Sequence, residues 1–261
     1  MKPNAIEQFE NERHDRLINY REDEAFQQLS HAWLQSSMQK KYVYNFDWLG
    51  RPIIQYPQDI VAIQELVWTV RPDLIIETGI AHGGSLVLSA SLLALLDLSD
   101  AIKTGTVIDP KVSERKVIGI DIDIRPHNRS AIEAHPFASR IEMIQGSSIS
   151  DDVIAKVHTA AQGFQRVLVF LDSMHTHDHV LAELEAYATL VTPGSYCVVF
   201  DTFVEDMPLN FFNDRPWNVG NNPKTAVKTW LPAHSEFEVD VLLEAKLQIT
   251  VAPNGFLHRK R

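Results

Sequence analysis

Carboxylate side chains stand at the ends of four of the five short apolar runs in the middle of this chain. Glu77, Asp121, Asp172 and Asp201 occupy these positions. In open parallel sheets, ligands bind beyond the carboxyl ends of the strands. The fold alone does not require acids at these ends, so we expect the four carboxylates to border one ligand site.

The segment Glu77-Thr-Gly-Ile-Ala-His-Gly-Gly-Ser85 follows the first run and precedes an apolar helix. Its glycines permit positive φ and close approach of a ligand, and the helix N-terminus offers free N–H groups. The pattern is not GxGxxG because Ala81 replaces a glycine, and Glu77 would repel a pyrophosphate. A cationic ligand such as S-adenosylmethionine fits better, with its carboxylate at the helix N-terminus. Taken alone, the segment fits a second interpretation equally well, namely a turn that needs its glycines only for packing.

The second and third runs carry the residues expected to meet a nucleoside. A carboxylate at Asp121 can accept hydrogen bonds from both hydroxyls of a ribose, in either an adenosyl or a nicotinamide cofactor. Asp123 better fits a helix cap. Ser147 and Ser148 fit an adenine contact or a helix N-cap equally well.

Asp172 and Asp201 end the fourth and fifth runs. If these strands are neighbours, the two carboxylates lie on strands about 5 Å apart and share either a proton or a cation. Mg²⁺ accepts one or two carboxylates together with water and substrate oxygens. Such an ion would orient a substrate hydroxyl and lower its pKa. Each acid alone fits a helix cap or an ion pair, whereas the pair favours a metal.

Three histidines follow Asp172, and they suggest a competing chemistry. His175, His177 and His179 nearly match the HxHxDH signature of dinuclear metallohydrolases, but one residue is missing before Asp178. Zn²⁺ favours imidazole ligands, so a zinc-dependent hydrolase is an alternative. No second cluster of spaced histidines follows in the sequence. We expect His175 to face the site as a general base or substrate contact, and His177 and His179 to begin the next helix.

The elements that must position these residues follow from the hydrophobic pattern. Apolar runs at 74–76, 117–120, 141–144, 167–171 and 196–200 alternate with helical patterns at 85–97, 127–134, 151–161 and 178–190. Strands that are apolar on both faces and alternate with helices indicate a parallel sheet covered on both sides. The predicted fold class is therefore α/β, with one doubly wound, mostly parallel sheet. Residues 237–241 and 247–251 are expected to close it as an antiparallel pair.

The N-terminal part has a different pattern. Residues 5–40 predict polar, amphipathic helix, and residues 42–54 predict short extended structure around a turn. A further helix is expected from Pro57 to just before Arg71. We therefore divide the chain into an N-terminal helical extension with a short extended segment, residues 1–56, and an α/β domain, residues 57–261. The N-terminal helices are a candidate surface for a homo-oligomer.

Composition excludes several classes of protein. The chain has 261 residues, 45% hydrophobic and 22% charged, with a net charge of −10 that argues against nucleic acid as a partner. The apolar stretch from Ser85 to Leu98 is shorter than the roughly 20 residues of a membrane span, and the N-terminus has no apolar signal-peptide core. The single cysteine, Cys197, fits a buried hydrophobe in a reducing compartment. We expect a cytoplasmic protein without an integral membrane segment.

Taken together, the quoted segments resemble the cephalosporin hydroxylase / rhamnosyl O-methyltransferase family. The similarity covers roughly residues 42–256. The segments that carry it are Trp48-Leu-Gly50, Gln55-Tyr-Pro57, Glu77 to Ser85, Gly119-Ile-Asp121, Leu171-Asp-Ser-Met-His175, Val198-Val-Phe-Asp-Thr202 and Asn221-Asn-Pro-Lys-Thr-Ala226.

The resemblance implies a class I methyltransferase fold, S-adenosylmethionine, Mg²⁺ or a similar divalent cation, and methylation of a hydroxyl, often on a sugar. By the resemblance, Asp172 and Asp201 would bind the metal. From the residues themselves we expect His175 and Asp172 to be catalytic. Relatives can carry two acids at the end of the fifth run, whereas this chain has Phe200-Asp201. Water, His175 or Glu205 would fill that gap, or metal binding would be weak. The cofactor residues would be Glu77, Gly79, Ala81, Gly83, Gly84, Ser85, Asp121, Ile122, Ser147 and Asp172.

The leading prediction is thus a metal-assisted O-methyltransferase acting on a sugar or a glycosylated small-molecule acceptor. The segment 205–224, rich in aromatic residues, asparagine and proline, would contact that acceptor. It also fits a structured surface or an oligomer contact. A zinc-dependent hydrolase and a non-catalytic nucleotide-binding assembly protein are the alternatives.

Overall fold

A computed structural model describes residues 4–209 and 211–261 of the chain. Residues 1–3 of the predicted extension and Asn210 of the predicted acceptor segment lie outside the described residues. The helices are α1 (Ala5–Glu22), α2 (Glu24–Gln39), α3 (Pro57–Val70), α4 (Gly84–Thr104), α5 (Pro126–Glu133), α6 (Asp151–Ala160), α7 (His177–Tyr187), α8 (Pro223–Trp230) and α9 (Val241–Leu247). The strands are β1 (Phe46–Trp48), β2 (Arg51–Ile53), β3 (Leu74–Thr78), β4 (Lys116–Asp121), β5 (Ile141–Gln145), β6 (Val167–Leu171), β7 (Tyr196–Val199), β8 (Phe237–Val239) and β9 (Phe256–Arg259).

The central sheet confirms the predicted fold class. In the described part of the chain it has seven strands in the order β5-β4-β3-β6-β7-β9-β8. Strands β3 to β7 run parallel, and β9 is antiparallel to both β7 and β8. Every residue of β3 and β6 is buried because helices cover both faces of the sheet. The chain order reverses between β3 and β6, and a crevice forms at such a switch point.

The predicted closing pair of strands is wrong in its second member. Strand β8 pairs with β9, and residues 247–251 lie outside the sheet. Leu247 and Val251 are buried in the hydrophobic core, which accounts for the apolar positions, and Thr250 and Val251 both donate hydrogen bonds to the buried carboxylate of Asp59. We call these two hydrogen bonds to Asp59 of α3 the tether. They take the place of strand pairing at residues 247–251.

The predicted N-terminal helix is broken in two at Asp23. The backbone of Asp23 leaves the helical region, with φ −83° and ψ 88°, and its side chain accepts a hydrogen bond from the N–H of Phe26 to cap α2. Helix α1 has no buried residue, whereas α2 buries Leu34 against the core. Ser37 of α2 lies 2.6 Å from the hydroxyl of the fully buried Tyr56. A division of the chain after residue 56 stays a prediction.

Helix α4 has the length and apolar composition of a membrane span, and 56% of its most apolar stretch is buried within the protein. Burial of one face against the sheet accounts for that composition. The helix runs beyond the predicted end at residue 97, because Asp97 forms ion pairs with Arg115 and Arg140 instead of ending the helix. Gly105, at φ 69°, ends it.

We expect Asp59→Ala to lower the free energy of unfolding by about 2–4 kcal/mol, because it leaves the Thr250 hydroxyl and the Val251 N–H buried without an acceptor. Urea denaturation measures the change. Asp47→Ala, at an exposed position in β1, is the matched control and should change stability by less than about 0.5 kcal/mol. Equal losses in the two variants would contradict the tether.

Candidate functional site

A cavity of about 420 Å³ opens at the carboxyl ends of β3, β6 and β7. The turn after β3 forms one wall, the residues after β6 and β7 form the floor, and the segment 211–217 forms part of the rim. Residues 38–44, together with β2 and the two residues after it, close the remaining side. The crevice at the reversal of strand order therefore contains two of the four predicted strand-end acids, Asp172 and Asp201.

Asp172, His175 and Asp201 converge in this cavity. One ligand atom from each residue lies within 4.8 Å of the others, and His175 Nε2 is 2.8 Å from Asp201 Oδ2. Strands β6 and β7 are neighbours, as the sequence analysis required for the acids to meet. Burial raises the pKa of Asp172 well above its usual range, and the charge of Asp201 raises it further. A divalent cation between the carboxylates would remove that penalty, so the donor set fits such an ion.

Among the described residues, His175 groups with the two acids as a potential metal ligand, whereas Glu205 does not. Phe200 is buried and packs against Phe170, with ring centroids 5.9 Å apart. Glu205 accepts hydrogen bonds from the N–H of Gly220 and the side chain of Asn222, at 2.8 and 2.5 Å. The carboxylate of Glu205 is thus engaged within the segment 205–224.

His177 and His179 lie in the first turn of α7, as predicted. His177 Nδ1 is 2.8 Å from Thr225 Oγ1, and His179 Nε2 lies between the hydroxyls of Ser148 and Ser173. Within residues 4–209 and 211–261, neither histidine joins a group of potential metal ligands. The arrangement does not support the zinc hydrolase, which needed the three histidines together.

The turn after β3 lies directly against the backbone of Asp172. Gly79 has φ +89°, and a Cβ placed there would lie 2.0 Å from the carbonyl oxygen of Asp172. Gly83, at φ +83°, is the N-cap of α4, while a Cβ at Gly84 would lie 2.2 Å from the carbonyl oxygen of Pro52. The glycines thus permit a tight approach of three chain segments beside the cavity.

Glu77 lies at the base of this turn and is 2% exposed. Ser85 donates a hydrogen bond to its Oε1, whereas Oε2 is buried without a hydrogen-bond partner among the described residues. Burial raises the pKa of Glu77 to about 8. A buried carboxylate oxygen with no donor is well suited to a ligand cation.

Asp121 fixes the same turn from the other side, at the end of β4. Its Oδ2 accepts hydrogen bonds from the N–H groups of Ile80 and Ala81 at 2.8 and 3.3 Å, and its Oδ1 accepts one from Asp123 at 3.0 Å. The predicted helix cap at Asp123 is wrong, since Arg125 occupies the N-cap of α5. A carboxylate offers about four acceptor positions, so one remains on Asp121.

For the serines of the loop after β5, the structure excludes one of the two interpretations, the helix N-cap. Ser150 is the N-cap of α6, so neither Ser147 nor Ser148 caps that helix. Ser148 is buried and meets His179, while Ser147 is partly exposed. Ile122, after β4, is 72% exposed and free to meet a ligand.

Sequence reasoning gave no role to Gln55, which faces the cluster. Its side-chain Nε2 is 3.4 Å from Asp172 Oδ2, and its Oε1 is buried with no hydrogen-bond partner among the described residues. Trp217, named only as part of the acceptor segment, meets His175 edge to face at 4.7 Å between ring centroids. A lone glutamine before a helix does not indicate any particular chemistry. The sequence therefore points to the Gln55-Tyr-Pro57 segment only through its resemblance to the family.

Comparison with known proteins gives consistent matches over most of the chain. The family model for rhamnosyl O-methyltransferase/CmcI matches residues 40–260. A rhamnosyl O-methyltransferase of Mycobacterium leprae is 26% identical over 244 residues, covering 92% of this chain and 93% of that protein. One of Mycobacterium bovis is 25% identical over 250 residues, covering 92% and 87%.

Solved structures share the fold. A CmcI structure with Mg and SAM has a TM-score of 0.53 at 18% identity, covering 84% of this chain and 78% of that chain. The MycE methyltransferase in complex with Mg, SAH and mycinamycin VI has a TM-score of 0.50 at 16% identity, covering 87% and 54%. At these identities the likeness concerns the fold.

We expect Gly79→Ala to destabilise the protein more than Gly163→Ala. Both residues have a similar positive φ, +89° and +92°, but a Cβ at Gly163 meets no atom within 4 Å. Gly163→Ala should therefore lower the free energy of unfolding only by the backbone penalty of about 1–2 kcal/mol. Gly79→Ala should lower it further, because the new Cβ must also displace the backbone of Asp172. Urea denaturation of both variants measures the difference. Equal losses would mean that the turn adapts without moving Asp172.

Proposed function

Because the chain belongs to the rhamnosyl O-methyltransferase/CmcI family, we propose that it transfers a methyl group from S-adenosylmethionine to a hydroxyl of a sugar or glycosylated acceptor, assisted by a divalent cation. The observation that carries the proposal is one cavity shared by the turn after β3 and the Asp172–His175–Asp201 cluster. The name of the mycobacterial relatives supports a sugar hydroxyl as the acceptor. The Mg and SAM of the CmcI structure support the cofactor and the cation.

The turn after β3 would hold the amino-acid end of the cofactor, which supplies the methyl group when bound. Oε2 of Glu77, at the base of the turn, is buried without a hydrogen-bond partner among the described residues, and it would accept from the cofactor's ammonium. The first N–H groups of α4 would meet its carboxylate. Gly79, Ala81, Gly83 and Gly84 would leave room for the ligand, and Ser85 would hold Glu77 in place.

The ends of β4 and β5 would hold the nucleoside. Asp121 keeps one free acceptor position for a ribose hydroxyl after binding three backbone N–H groups. Ile122 and Ser147 would flank the base. Asp121 would then have two functions, because the same carboxylate fixes the turn and meets the ribose.

The cluster would prepare the acceptor hydroxyl. Asp172 and Asp201 would bind the cation, preferably Mg²⁺, whose charge lowers the pKa of a hydroxyl beside it. His175 donates from Nε2 to Asp201, which fixes the ring and leaves the lone pair on Nδ1 to take the hydroxyl proton. Trp217 packs edge to face against the imidazole of His175 and would fix the plane of that ring.

The rim of the cavity suits a saccharide. Phe211 and Phe212 pack edge to face with ring centroids 4.9 Å apart, and Trp217 lies under the guanidinium of Arg215 at 5.5 Å. Aromatic faces bind the C–H faces of sugar rings, and the guanidinium can donate hydrogen bonds to hydroxyls. These side chains belong to the segment expected to contact the acceptor.

We expect Asp172→Asn and Asp201→Asn each to lower Mg²⁺-stimulated turnover by about 100-fold or more, because each removes a carboxylate from the cation. The assay measures release of S-adenosylhomocysteine with a panel of rhamnosides and other glycosides. Calorimetry should show nearly unchanged affinity for S-adenosylmethionine.

Asp178→Asn is the matched control, an exposed acid in the first turn of α7, and should retain activity. Full activity of the wild type in chelator would overturn the metal part of the proposal. Binding of NAD in place of S-adenosylmethionine would overturn the cofactor.

We also expect cofactor binding near pH 7 to release a proton from Glu77. Its pKa of about 8 keeps the free carboxyl mostly protonated, and an ammonium beside Oε2 favours the ionised form. Affinity should therefore rise as the pH increases from about 6.5 to about 8. Calorimetry in buffers of different ionisation enthalpy measures the proton count.

Glu77→Gln keeps the shape of the side chain and cannot ionise, so its proton release should be smaller by the contribution of Glu77. Identical proton release in Glu77→Gln and wild type would place the ammonium elsewhere.

A further inference from the structure

One face of α7 carries three polar side chains that the proposed chemistry does not use. His179, Glu183 and Tyr187 are spaced four residues apart, so they lie above one another on the helix. Glu183 and Tyr187 are fully buried, and the side chain of His179 is 15% exposed. We call these three residues the polar face of α7.

The polar face holds the loop after β5, the proposed nucleoside side. His179 Nε2 is 3.0 Å from Ser148 Oγ, and the hydroxyl of Tyr187 donates to the backbone oxygen of Ser148 at 2.5 Å. Ser148 directly follows Ser147, which would meet the base. The hydroxyl and the backbone oxygen of Ser148 therefore both contact side chains of α7.

The same face holds the loop after β6, the proposed metal side. The hydroxyl of Ser173 donates to Glu183 Oε1 at 2.6 Å and lies 3.1 Å from His179 Nε2. Ser173 directly follows Asp172. The orientation of the Asp172 backbone is thus tied to the buried carboxylate of Glu183.

His179 is the point where the two loops meet. Its Nε2 carries either one hydrogen or one lone pair, yet it lies within hydrogen-bond distance of the hydroxyls of both Ser148 and Ser173. A displacement of one loop therefore changes the hydrogen bond available to the other. Direct contact through one atom is a physical basis for coupling between two sites.

Stability alone does not explain this face. A buried carboxylate costs free energy unless it is fully hydrogen bonded, and Glu183 Oε2 has no partner among the described residues. Apolar side chains of similar volume often stabilise such positions as well or better. Val180 and Leu184 of the same helix show that α7 packs against the sheet with aliphatic residues. The polar face defines the position of two loops instead.

We propose that His179 and Glu183 are positioning residues, which hold the loop after β5 and the loop after β6 in one joint arrangement so that the nucleoside and cation sites form together. The inference rests on the proposed function, because that function assigns the two sites to these loops. Neither residue lines the cavity that contains Asp172 and Asp201. A change at His179 should therefore affect both sites at once.

Calorimetric titration of the full chain with S-adenosylhomocysteine and, separately, with Mn²⁺ tests the proposal. We expect His179→Ala to weaken both ligands, each by about 10-fold, since loss of a hydrogen-bonded support for ligating residues typically has this effect. Glu183→Ala should weaken Mn²⁺ similarly. Glu183→Gln, whose carbonyl can still accept from Ser173, should restore most of that affinity.

His177→Ala is the matched control, because His177 lies in the same turn of α7 but contacts Thr225. It should leave both affinities within about twofold of the wild type. Ser148→Ala and Ser173→Ala, combined in a double-mutant cycle on Mn²⁺ affinity, should be non-additive when His179 is present and additive in the His179→Ala background.

The outcomes separate the two proposals. A wild type that binds neither ligand would overturn the proposed function. A wild type that binds both, with His179→Ala folded and unchanged for either ligand, would overturn the positioning role alone. A third outcome is a fall in thermal stability with no selective change in affinity at either site and no rescue by Glu183→Gln. That outcome would assign the polar face to folding and would also overturn the positioning role.

Discussion

The site depends on one constraint, the placement of two carboxylates at the ends of neighbouring parallel strands. Burial raises the pKa of Asp172 above its usual range, and the like charge of Asp201 raises that pKa further. The backbone tolerates this placement because hydrogen bonds fix both strand ends: Asp172 N–H donates to Thr78, and Phe200 N–H, one residue before Asp201, donates to Leu171. The backbone thus holds the acids together before any ligand arrives. A fixed pair of this kind needs little reorganisation to bind a cation.

The turn after β3 links that pair to the rest of the cavity. The carbonyl of Asp172 touches Gly79 from one side, and the carboxylate of Asp121 binds the N–H groups of the turn from the other. Three strand ends are therefore joined through one glycine-rich segment. Most of this segment is neither helical nor extended, so these contacts rather than regular secondary structure position it.

The sequence predicted the parts of this protein whose determinants are local. Strands buried on both faces leave continuous apolar runs, so the parallel strands were found close to their observed bounds. The pairing of 247–251 failed because the partner of those residues is Asp59, far away in the chain and invisible to a periodic pattern. Likewise, the break at Asp23 depends on one side chain capping α2.

The candidate site follows the same rule. Asp172, His175 and Asp201 come together as their positions at adjacent strand ends suggested, although their roles stay predictions. Gln55 was missed because it lies far from Asp172 in the chain, and only the tertiary structure brings its amide to that carboxylate. Glu183 was missed because an acid within a helix is usually solvated, and burial became visible only with the tertiary structure.

The position of β9 has a consequence for the order of assembly during translation. Strand β9 lies between β7 and β8, so β8 reaches the sheet only through a segment that follows it in the chain. While the ribosome is still adding residues 240–255, the edge of β7 is open and β8 has no place to dock. An unpaired edge of this kind can associate with other chains. We therefore expect nascent chains of this protein to be most prone to association before β9 has been synthesised.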